Sequence, residues 1–67
     1  MFQIVVNGES RTISRGETLL DVIRALDLEP ERVAVELDRR IVKKTEWAAT
    51  EVSDGAHLEI VQFVGGG

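Results

Sequence analysis

A single run of helical spacing, set between segments that alternate with a period of two, most limits the folds open to this chain. Leu19, Val22, Ile23 and Leu26 fall on one face of a helix, and Asp21, Arg24 and Ala25 occupy the other. Thr18 followed three residues later by Asp21 reads as the helix start, the Thr hydroxyl accepting from a first-turn amide. Pro30 disfavours helix at Glu29, so the helix is expected to stop near Asp27 and Leu28. Burying its four apolar positions contributes about 1.5 to 3 kcal/mol each before chain entropy is subtracted. A helix with one apolar face needs a sheet beneath it.

The remaining segments supply that sheet. Phe2 to Val6 alternates, and Asn7-Gly8 suits the positive φ angles of a type I′ turn, so Glu9 to Ile13 is expected to return antiparallel. Gly16 ends this hairpin. Val33, Val35 and Leu37 alternate with Ala34 and Glu36, and Asp38-Arg39 turns the chain into a short edge strand, Arg40-Ile41-Val42. The basic cluster Arg39, Arg40, Lys43 and Lys44 is read as protection of that edge against intermolecular pairing, with contact to an acidic partner as the alternative. Glu46 to Ala49 makes one turn in which Trp47 caps the core. Asp54-Gly55 then leads into a closing strand expected over Ala56 to Val64.

At 67 residues the chain is one small domain, near the lower limit for a core built without disulfides or metal. The expected division is a folded body, 1–64, and a glycine tail, 65–67. Apolar residues at 43% and charged residues at 30% indicate a soluble globular chain. No segment has the length of a membrane span, and Met1-Phe2-Gln3-Ile4 has no signal-peptide character, so a cytoplasmic protein without a membrane partner is expected. A net charge of −4 argues against nucleic acid and for a basic protein partner.

The inventory for an internal active site is thin. There is one His, no Cys and no Tyr, and no glycine-rich phosphate loop opens the helix. Neither a bound metal nor any other bound cofactor is expected. His57 is read as a solvated strand residue, and Glu29, Glu31, Glu46 and Glu51 as surface charge. The chain end offers more. Leu58 and Ile60 face inward, Val61 and Phe63 face outward, and Gly65, Gly66 and Gly67 follow. Three glycines extend about 10 Å with no Cβ to block a narrow channel, a shape suited to presenting a carboxylate to another protein's active site. Val61, Phe63 and Val64 are expected to dock the partner, offsetting the entropy of ordering the tail.

The residues Ile4-Val5-Val6-Asn7-Gly8-Glu9, Val33-Ala34-Val35-Glu36-Leu37, Glu46-Trp47-Ala48 and above all Asp54-Gly55 followed by Leu58 to Gly67 resemble the ThiS family, the sulfur carriers of thiamine biosynthesis. The resemblance covers essentially the whole chain. It implies an α+β fold of the ubiquitin-like β-grasp type, a mixed sheet packed against one main helix with a flexible C-terminal Gly tail. Asp27, where a glycine often ends the helix, and Asp38-Arg39, in place of a commoner Asn-Gly turn, depart from the family pattern without touching the tail.

The family's chemistry implies that the carboxylate of Gly67 is adenylated by an ATP-using, ThiF-like adenylating enzyme. It is then converted to a thiocarboxylate with sulfur from a cysteine desulfurase or similar donor, and gives that sulfur to a ThiG-like thiazole synthase. Gly65 and Gly66 would thread the partner active sites. The protein is thus expected to be a carrier, monomeric when free, and not itself an enzyme. The small subunit of molybdopterin synthase, sulfur carriers for tRNA thiolation or cysteine synthesis, a ubiquitin-like modifier and a plain β-grasp interaction module remain alternatives on the sequence.

Overall fold

The computed structural model describes residues 1–64 of the chain. The expected tail positions Gly65, Gly66 and Gly67 lie outside the described residues. Strand β1 (Phe2–Val6) turns through Asn7 (φ 50°) and Gly8 (φ 83°) into β2 (Glu9–Ile13), the paired positive φ angles expected of Asn-Gly. Their antiparallel register runs from Phe2 opposite Ile13 to Val6 opposite Glu9.

Helix α1 (Leu19–Ala25) opens with the complete capping box. Asp21 N–H donates to Thr18 Oγ1 at 3.2 Å, and Thr18 N–H donates to Asp21 Oδ2 at 2.9 Å. It closes on two crossed bonds, Asp27 N–H to the Arg24 carbonyl (3.0 Å) and Leu28 N–H to the Ile23 carbonyl (3.3 Å), with Asp27 at φ 60°. This is a Schellman closure with aspartate in the left-handed position that glycine usually fills. The helix therefore ends two residues before the expected stop. Leu26 sits at the cap, half-buried against the core, whereas Leu19, Val22 and Ile23 are buried.

A one-turn 3-10 segment (Pro30–Arg32) leads into β3 (Val33–Leu37). Asp38 (φ 49°) and Arg39 (φ 71°) form the turn into β4 (Arg40–Val42). A second 3-10 segment (Lys44–Ala49) buries Trp47, whose indole N–H donates to the Val42 carbonyl at 2.8 Å. The last strand, β5, spans His57–Gln62, shorter at both ends than the expected Ala56–Val64. Its far end is set by a neighbour, since β3 begins at Val33, opposite Gln62, and at its near end Ala56 still belongs to the preceding turn, its N–H donating to the Ser53 carbonyl at 3.1 Å.

The sheet order is β2-β1-β5-β3-β4. The closing strand is thus central, parallel to β1 and antiparallel to β3, with β2 and β4 as edges. One face of this mixed sheet carries Ile4, Val6, Val35, Leu58 and Ile60 against Leu19, Val22 and Ile23, and Trp47, Val52 and Ala56 complete the core. Among the described residues no buried side chain is polar or charged. A five-stranded mixed sheet under one main helix is the ubiquitin-like β-grasp arrangement. Among the described residues no helix is long and apolar enough to cross a membrane.

Candidate functional site

The alternation that buries Leu58 and Ile60 turns Glu59 and Val61 to the sheet face away from the helix. Strand register fixes their neighbours there. Ala34 stands opposite Val61, Glu36 opposite Glu59, and Ile41 opposite Glu36. Three apolar side chains from β5, β3 and β4 are thereby gathered round a shallow depression of about 100 Å³, bounded by the two glutamates. Val61 is 58% exposed and Ile41 78%.

The chain leaves β5 from the same end. Phe63 N–H donates to the Arg32 carbonyl at 2.7 Å, so the backbone stays tied to the start of β3 one residue beyond the strand. The side chains of Phe63 (56% exposed) and Val64 (93%) nonetheless face solvent. The three expected docking residues Val61, Phe63 and Val64 are all exposed and precede the expected tail residues in the sequence. Ala34 and Ile41 were missed by sequence reasoning. Their signal was alternation within β3 and β4, which becomes a shared face with Val61 only once the register is known.

The other candidate groups do not converge. His57 is exposed; its N–H donates to Asp38 Oδ1 at 2.9 Å, and its carbonyl accepts from Asp38 N–H at 2.8 Å, a link that joins the β3–β4 turn to β5. Glu29 pairs with Arg32 at 2.8 Å and Glu31 with Lys44, both exposed. Of the basic cluster, Arg39 and Arg40 lie in the turn and edge strand, Lys43 precedes the second 3-10 segment, and Lys44 is occupied by Glu31. Among the described residues no three His, Cys, Asp or Glu side chains are grouped to hold a metal ion. Among the described residues the one marked electrostatic shift is structural. Bonding to the Thr18 backbone, then to its hydroxyl, holds the Asp21 carboxyl below its ordinary value. What the described surface offers is an exposed apolar patch made by Ile41, Val61, Phe63 and Val64.

Comparison with known proteins covers nearly the whole chain. Residues 4–67 match the model of the ThiS family. The chain is 28% identical to the sulfur carrier protein ThiS of Escherichia coli, over 97% of this chain and 98% of that protein. It is 42% identical to a thiazole synthase of Paramagnetospirillum magneticum over 97% of its own length, but spans only 20% of that relative and of a second thiazole synthase from Magnetococcus marinus. The crystal structure of a thiamine biosynthesis protein (ThiS) from Geobacter metallireducens superposes with a TM-score of 0.80 at 31% identity, covering 98% of this chain and all of that one. The family model takes in all but the first three residues, and the fold and the relatives agree with it: the chain belongs to the ThiS family.

Proposed function

We propose that this protein is a sulfur carrier of thiamine biosynthesis, working through the carboxylate of Gly67. The observation that carries the reading is the exposed apolar set Val61, Phe63 and Val64 immediately before three glycines, in a chain of this family. A carboxylate is a poor electrophile. Attack of its oxygen on the α-phosphorus of ATP expels pyrophosphate and leaves an acyl adenylate, whose AMP is a leaving group that a sulfur nucleophile displaces. The ATP belongs to an adenylating enzyme of the ThiF kind, and the sulfur to a donor system fed from cysteine.

The body contributes binding and presentation. Val61, Phe63 and Val64, with Ala34 and Ile41 beside Val61, dock the partner, and Gly65 and Gly66 carry the reacting carbon through a channel too narrow for side chains. Thiazole synthase is the proposed acceptor. Two proteins of that name each contain a stretch homologous to nearly this whole chain, which supports a working association between the two kinds of domain.

The test is the intact mass of the purified protein before and after incubation with ATP, the adenylating enzyme and a cysteine-fed sulfur source. Replacement of one oxygen by sulfur, mapped to Gly67, is the expected result. An unchanged mass, with the same enzyme active on another carrier, would overturn the reading.

A further inference from the structure

Main-chain pairing between β1 and β5 ends early. The register holds Val5 to His57 and Val6 to Leu58, and Asn7 N–H then donates to the Leu58 carbonyl at 2.9 Å. At that point Asn7 and Gly8 swing the chain into β2, and β5 continues without a main-chain neighbour on this side. Ile60 is the next residue whose amide and carbonyl face that gap, and it is buried. The carboxamide of Asn7 fills the gap: Ile60 N–H donates to Asn7 Oδ1 at 2.7 Å, and Asn7 Nδ2 donates to the Ile60 carbonyl at 3.1 Å. One side chain, 53 positions away in sequence, stands in for a missing residue of β1.

The chemistry of the position is narrow. It requires a donor and an acceptor on one short planar group, and a residue that tolerates φ 50°. Aspartate keeps the shape and the turn but loses the donor and sets a carboxylate against the Ile60 carbonyl. Glycine keeps the turn and loses both bonds. A turn alone would be served equally well by all three.

Past Ile60 the strand is tied on the other side, by Phe63 N–H to the Arg32 carbonyl, and the docking residues and tail follow at once. We propose that Asn7 is a positioning residue, which clamps β5 at Ile60 and so fixes the line along which the chain leaves the body at Phe63 and Val64 toward a partner's active site. This rests on the carrier reading. Docking depends on the exposed side chains, whereas delivery of the acyl carbon depends on the exit line, so loss of the clamp acts on turnover and leaves recognition intact.

The experiment compares Asn7→Asp and Asn7→Gly with the wild type and with Thr18→Ala, which weakens the remote helix cap. Amide hydrogen exchange needs no partner. Faster exchange at Ile60 and Phe63, by tenfold or more in both Asn7 variants and not in Thr18→Ala, is expected; unchanged protection at Phe63 would overturn the proposal. In ATP-dependent adenylation by the partner enzyme, kcat should fall at least tenfold in the Asn7 variants with KM within twofold of wild type. Unaltered kcat, a rise confined to KM, or an equal loss of kcat in Thr18→Ala would overturn it too. A wild-type protein that is not adenylated would count against the carrier reading itself, and the exchange measurement would still decide the role of Asn7.

Discussion

Glu36 and Glu59 stand directly opposite each other on adjacent strands of the open face, two carboxylates of like sign, and among the described residues neither is held in an ion pair. Side-by-side like charges across a sheet destabilise it. Glu59→Gln should raise stability by about 0.5 kcal/mol, roughly 2 to 4 °C in melting temperature for a domain of this size. The gain should shrink in high salt, where the repulsion is screened. Thermal melts at two ionic strengths check it, and no gain at low salt would show that the pair is not in conflict.

The β3–β4 turn holds Arg39 at φ 71°, a left-handed conformation that a Cβ penalises. Arg39→Gly should stabilise the domain by about 0.5 to 1 kcal/mol, the relief of that strain less the extra freedom glycine has when unfolded. Asp38 is a different matter although its φ is 49°, because its carboxylate receives the His57 amide. Asp38→Gly should lose that bond and destabilise. Denaturant titrations of the two variants should move in opposite directions.

The depressed Asp21 pKa gives the helix cap a pH dependence with a definite sign. Below its ordinary 3.8 in the folded state, the group stabilises the fold when ionised, a contribution fully present above that value. It is lost as pH falls through the lower folded pKa, when the protonated carboxyl no longer accepts strongly from the Thr18 amide. Asp21→Asn should therefore be less stable than wild type at neutral pH, and the two stability curves should converge below the folded pKa. Parallel curves down to the lowest accessible pH would refute the linkage.

Docking is predicted to spread beyond the chain end. Ile41→Asp and Phe63→Asp, at sites 78% and 56% exposed, should leave melting temperature within a few degrees of wild type. Each should weaken binding to the adenylating enzyme by about tenfold or more, roughly 1.4 kcal/mol. Calorimetric titration of the two proteins measures this directly. Full affinity in Ile41→Asp would confine the docking surface to Val61, Phe63 and Val64.

Much of this arrangement could be read from the chain because it is encoded between near neighbours. The Asn7-Gly8 turn, the Thr18–Asp21 capping box and the alternation of Val33 to Leu37 depend on residues at most a few positions apart, and each appears where the sequence places it. The errors fall at element ends. Leu26 belongs to the helical stripe yet caps the helix, since Asp27 turns left-handed and Leu28 folds its amide back to Ile23. Phe63 and Val64 lie outside β5 because β3 begins opposite Gln62, and Ala56 because its amide closes the preceding turn on Ser53.

By itself, the sequence determined the local elements: one capped helix, five strand segments, no cysteine, and an apolar run entering three glycines. Only the tertiary structure decided that the last strand lies at the centre of the sheet, between the first and the third. It also brought Ile41 and Ala34 to the face of Val61 and gave the Asn7 carboxamide to Ile60. Those pairings join segments up to 53 residues apart and follow from burying one apolar face of each strand under the helix while meeting every backbone hydrogen bond. Local spacing along the chain carries no record of that collective requirement.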